Sequence, residues 1–246
     1  MIIQTGISDY SSQKLRWAQY AANSQSENNT DSTSEKVKTT NMQVDKADIS
    51  VHGRMKARLM SLREVRNNIK SGIEMLETAD KGVRTILTIL EKIKDLAVQS
   101  INGIYSKDHR QLIQVQVSEL IDEVDRIVES TEYNSKTLLD GDYSRHSRKA
   151  SMWMQIGPNM HERERIFIST MSALNLRLSN VKGEIASVST PKSAQETLDT
   201  LEYSLYRVKK QLADIEGYNE RFKETQIKVN AEIELLEKNL GETEKR

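Results

Sequence analysis

The sequence predicts a mainly α-helical protein, an elongated antiparallel helical bundle that carries a small β-hairpin region. Three observations support this fold class. Apolar residues recur at alternating steps of three and four in three long segments. Charged residues make up 29% of the chain and aromatic residues only 5%, which is typical of long helices with narrow apolar seams. Both prolines, Pro158 and Pro191, lie outside the interiors of these segments.

The first long helix is the one against which the others are expected to pack. The clearest part of its seam comprises Ala79, Val83, Ile86, Leu90, Ile93 and Ala97. The periodicity reaches back to Met55, so the helix should begin between Lys46 and Met55 and end near Ser100. At a rise of about 1.5 Å per residue, the part from Met55 onward is roughly 70 Å long. The helix also contains Gly53, Gly72 and Gly82. Each glycine costs about 1 kcal/mol relative to alanine, so packing has to outweigh that cost.

The chain before this helix has a different composition. Residues 1–45 are expected to form an N-terminal segment and flexible linker, and residues 46–246 a helical domain with a β flap at about 150–190. A short amphipathic helix is expected after Ser8. Residues 23–42 are rich in Asn, Ser and Thr, whose side chains compete with helical backbone hydrogen bonds. A loop or a weak helix is expected there.

Turn signals delimit a second helix. Asn102-Gly103 predicts a turn, and Ser106 predicts the N-cap of a helix that ends near Thr131. Because the connection is short, this helix should fold back antiparallel on the first. Its predicted seam comprises Ile113, Val117, Leu120, Val124 and Ile127. Asp140-Gly141 marks the next turn.

A short β region is expected before the last helix. The segments 152–156 and 165–168 are β-type runs separated by Gly157-Pro158-Asn159, which predicts a hairpin too small to be stable unless it rests on the helices. Thr190-Pro191 opens the last helix, in which Ser193 and Glu196 have the spacing of a capping box. The seam of this helix comprises Leu198, Leu201, Leu205, Val208, Leu212, Ile215, Asn219, Phe222, Gln226, Val229, Ile233, Leu236 and Leu240. Its two polar members are expected to fix the register of the bundle.

The composition and the missing motifs argue against several functions. Lys+Arg and Asp+Glu both total 36, so no excess positive charge favours nucleic acid. There is no cysteine, no apolar run of about 20 residues and no Sec-type signal peptide. The scattered histidines are interpreted as surface residues: His52, His109, His146 and His161. The acidic residues of the second helix are interpreted as a solvated face: Glu119, Asp122, Asp125 and Glu129. No nucleophile motif or phosphate loop is present, so neither an enzyme nor a cofactor is expected.

One stretch matches a known family. Residues 95–141, DLAVQSINGIYSKDHRQLIQVQVSELIDEVDRIVESTEYNSKTLLDG, closely resemble the D1 domain of bacterial flagellins. The segment WMQIGPN at 153–159, followed by RER at 163–165, is similar to the spirochete core flagellins in particular. Residues 208–222 resemble the flagellin C-terminal helix.

The resemblance implies a structural subunit of the flagellar filament with no enzymatic activity. The implied location is the bacterial flagellum, which is periplasmic in spirochetes, or otherwise secreted. The implied partners are other flagellin subunits, in homo- or hetero-polymers, and the flagellar export apparatus, without nucleic acid or membrane insertion. Flagellins make subunit contacts, and are sensed by an innate-immune receptor, on the surface that corresponds to Lys92, Leu96, Gln99 and Asn102. The alternative for these four residues is that they simply complete the helix.

Two departures from the family pattern qualify this expectation. Residues 38–48 replace the usual S-S-G-L-R-I-N-x-A-x-D-D segment, and the sequence stops at Arg246, where flagellins continue into an apolar C-terminal D0 helix. A minor, co-assembling or capping subunit, or a truncated non-functional copy, is therefore expected. The alternatives are a non-polymerising flagellin-like interaction or regulatory protein and a hook–filament junction protein.

Overall fold

The computed structural model describes the backbone of residues 38–243 and the side chains of residues 51–242. Within this range the helices are α1 (Lys38–Ile101), α2 (Lys107–Ser130) and α3 (Pro191–Thr243). The strands are β1 (Glu132–Tyr133), β2 (Lys136–Thr137), β3 (Met152–Gln155) and β4 (Arg163–Ile166). The predicted fold class, mainly α with a small β region, is confirmed.

The chain divides into two compact units, Met1–Ser50 and Val51–Arg246. In the first unit the structure describes only residues 38–50, which are helical. No helix in the described part of the chain combines the length and the apolarity that a membrane span requires.

α1 begins earlier than predicted. The expected start lay between Lys46 and Met55, whereas residues 38–42 are already helical. Asn and Thr lower helix propensity by only a few tenths of a kcal/mol each, and extending an existing helix adds one hydrogen bond per residue, so a polar first turn can be added to a long helix. The expected helix after Ser8 and the rest of the expected loop, residues 23–37, lie outside the described residues.

α1 and α3 run antiparallel and share the main core. Arg58 pairs with Glu232 at 2.6 Å, and Arg84 pairs with Glu216 at 2.6 Å, so residue numbers rise along α1 as they fall along α3. Between these pairs, an ideal Cβ at Gly72 would lie 2.8 Å from the Phe222 ring. The six predicted seam residues of α1 from Ala79 to Ala97 all have 0% exposure. The apolar residues of the seam predicted for α3 are also inside, and all are buried except the half-buried Leu198 and Leu236.

α2 folds back on α1 as predicted. Ser106 is its N-cap and accepts a hydrogen bond from the His109 N–H at 3.2 Å. At the other end, the α2 C-cap Thr131 lies against Gly82 of α1. The predicted seam of α2 omitted one residue: Ile121 is buried, and Leu120 is half-buried against the core. The buried stripe of α2 is broader there because the helix packs against both α1 and the loop before α3.

The predicted β3–β4 hairpin is present and rests on the helices, but its second strand begins two residues earlier than predicted, at Arg163, and ends at Ile166. β3 and β4 pair antiparallel, with Met152 opposite Ile166. Glu164 accepts a hydrogen bond from Arg221 of α3 at 2.8 Å, and the Met154 methyl lies near Gly72 of α1. The ribbon of β1 and β2 was not predicted. Its two-residue turn has φ values of 49° and 60°, at Asn134 and Ser135, as expected for a tight hairpin turn.

The capping box of α3 was predicted at the wrong residues. Thr190 is the partner of Ser193, not Glu196. The Ser193 N–H donates to Thr190 Oγ1 at 3.1 Å, and the Thr190 N–H donates to Ser193 Oγ at 3.1 Å. Pro191 at the first helical position places the N-cap at Thr190, so Ser193 takes the place that glutamate usually holds.

The segment between β4 and α3 is irregular but belongs to the core. Six of its apolar side chains have 0% exposure: Ile168, Met171, Ala173, Leu176, Leu178 and Val188. Side chains of the helices satisfy its backbone. The Val188 N–H donates to Gln114 Oε1 at 2.6 Å, and the Ala173 N–H donates to Asp125 Oδ1 at 2.7 Å. Asp125 is therefore half-buried and structural, which corrects its assignment to the solvated face of α2.

Candidate subunit-interface surface

The candidate surface lies where α1 ends and α2 begins, and side-chain contacts hold this turn in place. Arg110 of α2 donates from Nε to the Ser100 carbonyl at 2.8 Å and from a terminal nitrogen to the Asn102 carbonyl at 3.2 Å. The Tyr105 ring stacks on His109, with 4.6 Å between ring centroids. These contacts fix the relative position of the two helices at this end.

An open groove of about 470 Å³ lies between the two helices, where the last turns of α1 face the middle of α2. α1 contributes Lys92, Asp95 and Leu96, and α2 contributes Gln116, Glu119 and Leu120. Leu96 and Leu120 are half-buried and form its apolar floor, while the charged side chains are exposed and form its rim. A groove with an apolar floor and a polar rim is suited to receive the side chains of another protein surface.

The structure divides the four predicted site residues into two pairs. Lys92 and Leu96 line the groove. Gln99 and Asn102 lie at the turn: Gln99 Nε2 donates to the Tyr105 hydroxyl at 3.1 Å, and Asn102 Oδ1 accepts from the Ile104 N–H at 3.3 Å. Gln99 and Asn102 therefore shape the turn, which agrees with the simpler alternative for them. A direct role of any of the four in subunit contacts stays a prediction.

Exposed apolar side chains beside the groove were missed by the sequence analysis. Leu112 is 64% exposed and Val115 is 55% exposed on α2, and Val98 is 52% exposed on α1. Leu112 lies one turn before Gln116, Val115 one turn before Glu119, and Val98 one turn after Asp95, so all three flank the groove. The available signal was that these apolar residues lie off the seam of their own helix. Grouped exposed apolar residues on a folded surface mark an interaction site.

Among the described residues, this surface has the side chains of a protein–protein contact and not those of a reactive centre. Among them, no group of three or more His, Asp or Glu side chains is arranged to hold a metal ion. The groove is lined by one cation, two carboxylates, an amide and two leucines. What such an arrangement provides is shape, apolar area and charge for packing against another protein.

Comparison with known proteins places the chain among flagellar proteins. The sequence model of the family described as "Bacterial flagellin N-terminal helical region" matches residues 11–144, more than half of the chain. The chain is 35% identical over 198 residues to "Flagellin FlaB1" of Treponema pallidum (strain Nichols), which covers 78% of this chain and 69% of the relative. It is 36% identical over 185 residues to "Flagellar filament core protein flaB2" of Brachyspira hyodysenteriae, covering 74% of this chain and 65% of the relative.

A solved structure shows the same fold. The crystal structure of Bacillus cereus flagellin aligns with a TM-score of 0.57 over 66% of this chain and 88% of that chain, at 18% sequence identity. At this identity the likeness concerns the arrangement of helices alone.

Proposed function

The chain belongs to the flagellin family, and on that premise we propose that it is a structural subunit of the bacterial flagellar filament. One observation supports this beyond family membership, namely the groove between α1 and α2 with Val98, Leu112 and Val115 exposed beside it. Burial of these side chains by another subunit would stabilise the contact by about 25 cal/mol per Å² of apolar area removed from water. The groove therefore supplies the surface that a polymerising subunit needs.

The partners of this surface are other flagellin subunits, in filaments of one or several kinds of flagellin. The relatives reported above are named as a flagellin and a filament core protein, so a filament role is proposed rather than a hook–filament junction or a regulatory role. In a spirochete the filament would be periplasmic, and the subunit would leave the cytoplasm through the flagellar export apparatus. Residues 1–45 form the D0-like segment and linker in this proposal, and residues 46–246 form the D1-like part. No reaction is assigned to the chain.

Co-assembly with a flagellin tests the proposal. Purified protein is added to flagellin monomers with filament seeds, and the fraction that sediments with the filaments is measured. Leu112→Glu and Val115→Glu should lower this fraction strongly without loss of helix content, because both side chains are more than half exposed in the monomer. Val181→Glu is the matched control, since Val181 is 92% exposed in the loop before α3, away from the groove. The proposal is wrong if the unaltered protein neither joins the filaments nor changes their growth.

A further inference from the structure

A second surface with a different character lies on α3. A pocket of about 300 Å³ is formed between α3 and the segments on either side of the β3–β4 hairpin. Its lining includes three cations, Arg145, Arg207 and Lys210, and the aromatic rings of Phe167 and Tyr206. The one carboxylate that lines it is Asp214. The pocket therefore carries an excess of positive charge on a chain whose formal net charge is zero.

The cations of this pocket have no acidic partner in the part of the chain with described side chains. Arg145 lies over the Phe167 ring at 4.6 Å, and Arg207 donates to the Tyr203 hydroxyl at 3.0 Å. Neither these two residues nor Lys210 takes part in any ion pair among residues 51–242. Tyr206 is 64% exposed at the same place. Arg and Tyr are the residue types that concentrate in protein interfaces. Here Arg145 and Tyr206 are exposed, and Arg207 is half-buried.

The complementary charge lies on α2. Glu119, Asp122 and Glu129 are exposed, and they form no ion pair with any other described residue. Arg126 lies on the same side of the helix, but it is paired with Glu123. The hydrogen bond that the Arg126 guanidinium donates lowers the pKa of the Glu123 carboxyl. The exposed side of α2 therefore keeps an excess of negative charge. Glu119 also lines the groove described above, so the acidic side of α2 and the groove are continuous.

The spacing of the two charge sets is the same. Glu119 and Asp122 are three residues apart on α2, and Arg207 and Lys210 are three residues apart on α3. Residues three apart lie on the same face of a helix, separated by about 4.5 Å along its axis. Two helices laid side by side can therefore form both pairs at once. No such pair forms among the described residues of one copy, so the carboxylates of a second copy are available to the cations of the pocket.

We propose that the pocket around Lys210 on α3 binds the acidic side of α2, at Glu119 and Asp122, of a second copy of this chain. This inference rests on the proposed function and names the surface that receives the groove side of α2. The two surfaces differ from one another, so the contact is heterologous. A heterologous contact that does not close into a ring propagates an open helical polymer, which is the geometry that a filament requires.

Zero-length cross-linking between isotopically distinct copies tests the contact. Unlabelled and ¹⁵N-labelled protein are mixed in equal amounts and treated with a carbodiimide, which joins a lysine amine to a carboxylate in direct contact. The expected product is a mixed-isotope peptide pair that links Lys210 to Glu119 or Asp122. Lys209, the next residue on α3, is exposed and does not line the pocket, and it should give no such product. Absence of the Lys210 product, or its formation within one copy only, overturns the proposal. A pocket that binds only a free anion would give no cross-link and would count as the first of these results.

Charge reversal provides the second measurement. Lys210→Glu should raise the protein concentration needed for co-assembly by about tenfold, because it places like charges across the contact. Lys209→Glu should leave that concentration unchanged, and Lys210→Glu combined with Asp122→Lys should restore it. If the unaltered protein co-assembles and Lys210→Glu does so equally well, the proposed contact is wrong while the filament role stands. If the unaltered protein never co-assembles, the filament role fails, and the cross-link alone decides whether the contact exists.

Discussion

At the scale of single residues, Gly82 shows how closely two helices approach in this fold. An ideal Cβ at this position would lie 2.6 Å from Thr131 Oγ1 and 3.0 Å from Leu139 Cδ1. Thr131 is 8% exposed and its hydroxyl donates to the Ile127 carbonyl at 2.6 Å, so it cannot move aside without loosening the end of α2. A methyl group at residue 82 therefore has no room.

We expect Gly82→Ala to lower the free energy of unfolding by about 1–3 kcal/mol, the usual cost of overpacking, although alanine is the better helix former by about 1 kcal/mol. Urea denaturation measures the change. The control is Gly53→Ala, in the same helix, where nothing lies within 4 Å of an ideal Cβ, so stability should rise by up to about 1 kcal/mol. Equal stabilisation by both substitutions would contradict the packing at Gly82.

The glycines also show what the sequence could not supply at this scale. Periodicity placed Gly53, Gly72 and Gly82 in one helix and assigned each the same cost. In the structure, the space at Gly53 is open, whereas Gly72 faces Phe222 and Gly82 faces Thr131. The difference comes from residues that are distant in sequence, and a propensity scale holds no information about them.

At the scale of elements, the tip of the β3–β4 hairpin depends on the charge of one carboxylate. The Asn159 N–H donates to Glu162 Oε2 at 2.9 Å, and this hydrogen bond is the main cause that lowers the pKa of Glu162. A group whose pKa is lower in the folded state stabilises the fold above its unfolded pKa of about 4.3, and this contribution is lost as the pH falls through the folded value. The tip should therefore loosen in acid only below the pH at which a free glutamate titrates.

An NMR titration of the Asn159 amide signal measures this. The midpoint of its pH-dependent shift should lie below about 4.3, the ordinary value for glutamate. Glu162→Gln should remove the titration and loosen the tip even at neutral pH, because an uncharged amide oxygen accepts the Asn159 hydrogen bond more weakly, while the pairing of β3 with β4 should remain. A midpoint at or above the ordinary glutamate value would show that the Asn159 contact does not favour the charged carboxylate.

Elements with a clear period were predictable, and those without one were not. The β3–β4 hairpin followed from two β-type runs around Gly157-Pro158-Asn159. The ribbon of β1 and β2 has strands of two residues, which are too short to show any alternation. The segment that carries Ile168 and Val188 is core without regular structure, because Gln114 and Asp125 satisfy its backbone. Hydrogen-bond acceptors that come from side chains distant in the sequence leave no pattern in the sequence of the segment whose backbone they bind.

At the scale of the whole unit from residue 51, steps of three and four identified the buried side of each helix but not which outer surfaces would be left without a partner. The groove beside Leu112 and the pocket around Lys210 each combine residues from segments far apart in the chain. The family resemblance placed Lys92 and Leu96 on a contact surface, but the rest of the groove and the whole pocket follow from the packing of the helices and were not predicted.

The interactions that stabilise the folded unit differ from those proposed to join two copies. Many seam side chains are fully buried, whereas the ion pairs between α1 and α3, Arg58–Glu232, Arg63–Glu237 and Arg84–Glu216, have side chains that are 36–57% exposed. Exposed pairs contribute little, and salt screens them over a Debye length of about 10 Å at about 0.1 M. Folding should therefore depend on apolar burial, whereas the proposed contact between copies should depend on charge in addition to the apolar side chains beside the groove.

Raising NaCl from about 0.05 M to about 0.5 M should leave the free energy of unfolding unchanged within the error of a urea titration, while it weakens co-assembly strongly. Leu90→Ala, at a side chain with 0% exposure, provides the opposite case and should lower the free energy of unfolding by about 2–5 kcal/mol. If salt lowered the free energy of unfolding and the free energy of co-assembly by similar amounts, the ion pairs between α1 and α3 would contribute strongly to the stability of the fold, which would contradict this prediction. We expect salt to affect co-assembly alone. The seams that hold the fold are buried, whereas Glu119, Asp122 and Lys210 of the proposed contact are exposed.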